Sequence, residues 1–115
     1  MKVISIKENH IFRRLYAKGK SAVSPCLAVY CRRNGGKQGR LGITVSTKLG
    51  KAVCRNKVRR RIREIYRLHQ MELLPGYDMV IVARVKAAHS SYAAMERSFL
   101  SCMDKLNLRQ KENKE

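Results

Sequence analysis

The chain has 115 residues, and its 26 Lys and Arg against 8 Asp and Glu give a formal net charge of +18. This length corresponds to one domain, and a hydrophobic fraction of 44% excludes an intrinsically disordered basic tail. No apolar run approaches the roughly 20 residues that cross a bilayer, and the four cysteines lack the spacing of a zinc site. We therefore expect a single cytoplasmic domain over residues 1–115, without an export signal, ordered over about 5–108 and frayed from Arg109 onward.

The chain begins with a predicted amphipathic helix. Four apolar residues recur at helical spacing: Ile11, Phe12, Leu15 and Tyr16. We expect this helix over about 10–18, capped by Asn9 and ended by Gly19 in a left-handed conformation.

Three strands are predicted next. Pro25 splits the following stretch into a short strand near 20–23 and a longer one over 26–32, because proline cannot donate to a sheet ladder. Residues 40–47 alternate apolar and small or polar side chains, which is typical of a strand with one covered face. The Asn34-Gly35-Gly36 turn between the two longer strands indicates that they pair as a β-hairpin.

The second half of the chain predicts a helix, a strand and a helix. From residue 52 the apolar period changes to about 3.6, which indicates a helix over about 52–71. After the Pro75-Gly76 break, the apolar run over 78–83 is typical of a central strand buried on both faces. A third helix follows a Ser90-Ser91 cap. Its apolar side carries Tyr92, Met95, Phe99, Cys102, Met103 and Leu106.

The positive charge is concentrated in the first 67 residues. Residues 1–47 hold ten basic and one acidic residue, residues 48–67 hold nine and one, and residues 68–115 hold seven and six. Such a field attracts a polyanion, and nucleic acid is the commonest one. An anionic membrane surface is the weaker alternative, because surface-binding helices place Leu, Phe or Trp opposite the charges and Trp is absent.

The predicted second helix carries an arginine ridge, which consists of Arg55, Arg59, Arg63 and Arg67. Asn56 and Arg60 lie beside it. Each like-charge contact at this spacing costs about 0.2–0.5 kcal/mol in an isolated helix. A solvated face would mix signs, yet Glu64 is the only acid among residues 48–67. The pattern favours a phosphate-binding face, and phosphates alone do not select DNA or RNA.

The segment at 48–63, KLGKAVCRNKVRRRIR, closely resembles the RNR motif of the protein subunit of bacterial ribonuclease P. The resemblance extends to NHIFRRLYAKG at 9–19, to GITVS at 42–46 and to the order of elements, and it spans about 5–106. It implies an α+β fold, a two-layer α/β sandwich like the second domain of ribosomal protein S5 with element order α-β-β-β-α-β-α. The resemblance also implies a central four-stranded mixed sheet with a left-handed crossover, whereas strand geometry alone predicts a right-handed one.

The resemblance also implies a function. A large RNA is the catalyst of this endoribonuclease, and the protein helps it to recognise precursor tRNA and to hold Mg²⁺, so we expect no catalytic or metal-binding residue in the chain. The implied partners are the catalytic RNA and precursor tRNA, with no membrane and no obligate protein partner. Nine residues would bind RNA: Lys48, Lys51, Arg55, Asn56, Lys57, Arg59, Arg60, Arg63 and Arg67. Four would meet the single-stranded 5′ leader of precursor tRNA: Phe12, Tyr16, Tyr30 and Arg84.

Two alternatives stand beside this interpretation. Without the resemblance, Phe12 and Tyr16 would be interpreted as ordinary packing at i, i+4. A structural RNA-binding or ribosomal protein would use the basic helix equally well, but it has no need for an aromatic leader cleft. Autonomous cleavage is disfavoured, because the acids and the three histidines are scattered along the chain.

Overall fold

Three α-helices and four strands lie within residues 3–110, the part of the chain that this computed structural model describes. Their order is α1 (Asn9–Lys18), β1 (Lys20–Val23), β2 (Leu27–Arg33), β3 (Arg40–Thr44), α2 (Ala52–His69), β4 (Tyr77–Ala83) and α3 (Tyr92–Lys105). The predicted α+β class and element order are confirmed. No helix within residues 3–110 is long and apolar enough to span a membrane.

The four strands form one mixed sheet in the order β1-β2-β4-β3. β2 pairs antiparallel with both β1 and β4, whereas β3 and β4 pair in parallel. Parallel neighbours need a crossover connection, and α2 lies within the connection from β3 to β4. The apolar β4 is therefore central, as its sequence predicts.

The predicted β-hairpin between β2 and β3 is wrong, because β4 lies between them. The turn at 34–36 is present, but it is tied to the start of β4: the Asn34 N–H donates to the Gly76 carbonyl at 2.8 Å. Since β4 is buried on both faces, the polar groups along each of its edges need a strand partner. This requirement separates β2 from β3.

The two faces of the sheet have different coverings. The first face, which includes Leu27, Val29, Leu41 and Ile81, packs against α2 and α3 in the main core. The second face carries Val80 and Tyr30 and packs against α1 through a smaller cluster around Leu15. The sheet with α2 and α3 forms the two-layer sandwich, and α1 lies across its other side.

Helix α1 begins and ends differently from the prediction. Its N-cap residue is Glu8, which makes no side-chain cap, and Asn9 is already helical. Gly19 is extended, with φ −76° and ψ 160°, rather than left-handed. The glycine is needed for close approach instead, because a Cβ there would lie 2.6 Å from the Leu15 carbonyl oxygen and 2.9 Å from that of Cys31.

Most of the other boundaries are close to those predicted. α2 ends at His69 and continues as a 3₁₀ turn over Gln70–Glu72, and β3 ends at Thr44 instead of residue 47. Ser91 caps α3, and its side chain accepts from the Ala94 N–H at 3.1 Å.

The predicted fraying does not begin at Arg109. Arg109 forms an isolated antiparallel bridge with Leu73, and the Gln110 N–H donates to the Glu72 carbonyl at 2.6 Å. The remainder of the predicted tail, 111–115, lies outside the described residues.

Candidate nucleic-acid interface

The arginine ridge lies along the side of α2 that faces away from the core. The buried side of α2 consists of Val58, Ile62, Ile65 and Tyr66. Arg63 and Arg67 are exposed, and Arg55 and Arg59 are partly exposed. The helix therefore separates an apolar stripe from a basic one, as the 3.6-residue period predicts.

Three of the four ridge arginines are hydrogen-bonded to neutral oxygen atoms. Arg55 donates to the Gly50 carbonyl at 3.1 Å, Arg59 to Asn56 Oδ1 at 3.0 Å and Arg63 to Ser5 Oγ at 3.3 Å. These bonds orient each guanidinium without cancelling its charge. Because a guanidinium has five N–H donors, each arginine keeps donors for phosphate oxygens.

Arg67 differs from the rest of the ridge. Its Nε and Nη2 atoms donate to the two carboxylate oxygens of Glu64 at 3.1 and 2.7 Å. The hydrogen bond from Arg67 lowers the pKa of the Glu64 carboxyl, so the acid stays charged. An exposed pair of this kind adds little stability, but it offsets the charge of Arg67. The net charge around Arg67 is therefore lower than its place in the sequence indicates.

Lys48 and Lys51 lie on a fixed loop just before α2. Ser46 Oγ accepts from the Lys48 N–H at 3.1 Å, and Gly50 has φ 129°, which side-chain-bearing residues rarely adopt. Both lysines are exposed, and the first turn of α2 contains no acid, so the positive end of the helix dipole adds to their potential. The remaining candidates on α2 are exposed as well: Asn56, Lys57 and Arg60.

Helix α1 leaves part of the second sheet face open on one side. This aromatic cleft consists of Tyr16, Ala28, Tyr30, Thr44 and Val82. The Tyr16 and Tyr30 rings meet edge to face, with centroids 5.0 Å apart, and the Tyr16 hydroxyl lies 2.9 Å from Thr44 Oγ1. Tyr16 is 40% exposed. The cleft thus offers two oriented aromatic rings above a half-buried apolar floor.

Phe12 packs between α1 and the sheet. Its ring is half-buried over Gly42, so close that a Cβ on Gly42 would lie 2.6 Å from the ring. The ring also belongs to the small cluster around Val80 that fixes α1 on the sheet. Phe12 therefore positions the wall of the cleft, and the sequence did not separate this role from stacking.

Arg84 lies beyond the end of β4, on the side of the β1–β2 turn. Its Nη1 donates to the Ser24 carbonyl at 2.8 Å, and its backbone N–H donates to the Cys26 carbonyl at 2.9 Å. The side chain is exposed overall. It follows Val82 by two residues, which places a cation near one end of the aromatic cleft.

Comparison with known proteins identifies the family. A family model described as Ribonuclease P matches residues 1–107. The chain belongs to the ribonuclease P protein family. It is 39% identical over 109 residues to the ribonuclease P protein component of Alkaliphilus oremlandii, covering 94% of this chain and 96% of that protein. It is also 38% identical over 104 residues to that of Clostridioides difficile, with 90% and 91% covered.

Solved structures of the family have the same fold. The Staphylococcus aureus ribonuclease P protein matches with a TM-score of 0.86 and 34% identity, covering 95% of this chain and 100% of that one. The Thermotoga maritima protein matches with a TM-score of 0.79 and 29% identity, with 95% and 98% covered. The chain is therefore a protein component of an endoribonuclease that processes tRNA and whose catalyst is RNA.

Two features of the site were not predicted from the sequence. The floor residues Ala28, Thr44 and Val82 give no signal of their own, although strand alternation places them on the face of Tyr30 once the register is known. The Glu64 contact to Arg67 has the i, i+3 spacing that allows such pairs, so it could have been predicted.

Within residues 3–110, no three His, Cys, Asp or Glu side chains cluster in a way that could hold a metal ion. His69 has a structural role. Its Nδ1 lies 2.9 Å from Glu72 and its Nε2 lies 2.7 Å from Glu96, so this side chain joins the end of α2 to α3. Burial lowers the pKa of this imidazole, but the hydrogen bonds to Glu96 and Glu72 outweigh it, and the pKa is raised overall.

This raised pKa predicts a pH-dependent stability. A group whose pKa is higher in the folded protein than in the unfolded chain stabilises the folded protein. This stabilisation is complete below the pKa in the unfolded chain, about 6.5 for His, and it is lost as the pH rises through the pKa in the folded protein. We expect the melting temperature to fall as pH rises from about 6 to 8. The His69→Gln variant should show a flatter dependence over that range. If thermal denaturation shows the same pH dependence of the melting temperature for this variant as for wild type, the contacts of His69 with both Glu72 and Glu96 are contradicted.

Proposed function

We propose that the two surfaces have different RNA partners within ribonuclease P. The arginine ridge, with Lys48 and Lys51, binds the catalytic RNA, and the aromatic cleft, with Arg84, binds the 5′ leader of precursor tRNA. Mg²⁺ is held mainly by the catalytic RNA. Cations on the protein replace counterions around the phosphates, so the protein lowers the magnesium concentration that the RNA requires.

The observation that carries this proposal is the chemical difference between the surfaces. Three of the four guanidinium groups of the ridge have neutral partners, which suits phosphate. The aromatic cleft presents Tyr16 and Tyr30, which suits unpaired bases, because every base has a face that can stack. We also propose that the protein acts in the cytoplasm, a reducing compartment that suits four free cysteines: Cys26, Cys31, Cys54 and Cys102.

The first prediction concerns catalysis. RNA-free protein should leave precursor tRNA intact, and adding it to its catalytic RNA at low Mg²⁺ should increase cleavage, because the protein supplies charge neutralisation and leader contacts. The measurement is single-turnover cleavage with and without the protein over a magnesium series. A protein that binds the RNA without affecting cleavage of any precursor would instead be a structural RNA-binding protein.

A second prediction separates the ridge arginines. Arg59→Ala should weaken binding to the catalytic RNA and reduce the slope of log K against log salt by about 0.9 if one phosphate contact is lost. Arg67→Ala should have a smaller effect, since Glu64 already offsets its charge. Both variants should remain folded, because the side chains lie outside the core. Equal salt slopes for wild type and Arg59→Ala would show that the ridge is only solvated.

A further inference from the structure

A second depression lies on the other side of α1 from the aromatic cleft. This α1 pocket has a volume of about 200 Å³ and is lined chiefly by His10, Arg14, Arg32, Asn34, Arg40 and Asp78. On a helix, residues 10 and 14 point away from residues 12 and 16, so α1 separates the pocket from the cleft. Arginines from a helix and two strands converge in this pocket.

The base of the α1 pocket is a rigid network around Asp78, which is only 6% exposed. Arg40 donates to both carboxylate oxygens, at 2.8 and 2.7 Å, and Asn34 Nδ2 donates to one of them at 2.9 Å. Asn34 Oδ1 also accepts from the Gly36 N–H at 2.7 Å. The Arg40 charge is therefore matched by Asp78, and Glu8 is a second acid close enough to interact with it. The base is preorganised and nearly neutral.

The rim of the α1 pocket has uncompensated charge. Arg14 and Arg32 are exposed, and neither forms an ion pair with any acid among residues 3–110. The exposed His10 lies beside them. Arg33 also lines the pocket and stacks over the Tyr77 ring at 6.0 Å. Converging like charges oppose folding, and a bound anion would remove that cost.

We propose that the α1 pocket binds one phosphate group of RNA, with Arg14 and Arg32 as its ligands. This inference rests on the proposed function and adds a contact outside both surfaces assigned there. Arginine suits the role because its planar fork donates two parallel hydrogen bonds to phosphate oxygens. Arg32 follows Tyr30 by two residues on the same face of β2, a distance of about 6.8 Å. A leader stacked on Tyr30 could therefore supply the phosphate, and so could the catalytic RNA.

The test compares single variants of the full chain. Arg14→Gln and Arg32→Gln each remove one rim charge, and Arg97→Gln is the matched control, because it removes the same charge from an exposed site on α3. The affinity for RNA is measured at a low salt concentration and at concentrations up to fourfold higher, in two arms of the experiment. One arm uses the catalytic RNA alone, and the other uses holoenzyme with precursor tRNAs of graded leader length. Melting temperatures establish that each variant is folded.

We expect each pocket variant to reduce the slope of log K against log salt by about 0.7 to 0.9. The ratio of wild-type to variant affinity then changes roughly threefold over the fourfold salt range. A loss in the first arm identifies the catalytic RNA as the source, and a loss confined to long leaders identifies the leader. If both pocket variants behave like Arg97→Gln in both arms, the inference is overturned while the proposed function stands. If the wild-type protein binds neither RNA, the inference and the proposed function both fail.

Discussion

Tyr30→Ala should weaken binding of long-leader precursor tRNA to the holoenzyme by roughly 5- to 150-fold, the equivalent of one lost base stack of about 1–3 kcal/mol. Tyr30 supplies one of the two rings of the aromatic cleft and also orients Tyr16 through their edge-to-face contact. Removing the ring therefore affects both aromatic surfaces. Affinity for mature tRNA, which has no leader, should not change.

The control for this experiment is Tyr30→Phe, which keeps the ring. It should bind precursors nearly as wild type does, because stacking needs only the aromatic face. Melting temperatures of both variants separate lost stacking from lost packing, since Tyr30 also contacts the small cluster around α1. Equal losses for mature tRNA and for long-leader precursors would mean that Tyr30 is a packing residue.

Gly42→Ala should lower the free energy of unfolding by about 1–3 kcal/mol, the usual range for overpacking. The new Cβ would lie 2.6 to 2.7 Å from two ring atoms of Phe12, so α1 would have to move or Phe12 would have to leave its place. Because the same helix forms the wall of the aromatic cleft, leader-dependent affinity should fall as well. Urea denaturation and precursor binding measure the two effects.

A double-mutant cycle isolates the contact between Phe12 and Gly42. Phe12→Leu in the Gly42→Ala background should cost less than Phe12→Leu alone, since the smaller side chain relieves the clash. Strictly additive free energies would show that the ring does not rest on Gly42. Restored stability without restored leader affinity would separate the packing role of Phe12 from a role in binding.

Local patterns in the sequence predict much of this protein, because they determine the helices and their exposed faces. The period of α2, the Ser91 cap and the apolar run of β4 are each contained in a short segment, and each has the predicted structure. The resemblance to the family added Phe12, Tyr16 and Tyr30 as leader-facing residues. The spacing of Phe12 and Tyr16 alone would have assigned those two to packing.

The largest error, the β2–β3 hairpin, arises from contact between segments far apart in the chain. A turn between β2 and β3 favours a hairpin, yet β4 arrives later in the chain and takes the place between them. Gly42 looks like an ordinary strand residue until Phe12 is found against it, and Gly19 lies against the distant Cys31 carbonyl as well as the Leu15 carbonyl of its own helix. No window of neighbouring residues contains that information.

The central place of β4 also has a consequence for the order in which the protein folds. In the sheet β2 and β3 are not neighbours but lie on either side of β4, which pairs with β2 over Tyr77–Ala83 and with β3 over residues 78–82. A growing chain that ends before residue 83 therefore holds a basic helix but no complete sheet to support it. Such long-range pairing slows folding, because the entropy of closing the loops is lost before the stabilising contacts form. During synthesis the cation-rich first half would thus be exposed to cellular RNA before its own binding surfaces are formed.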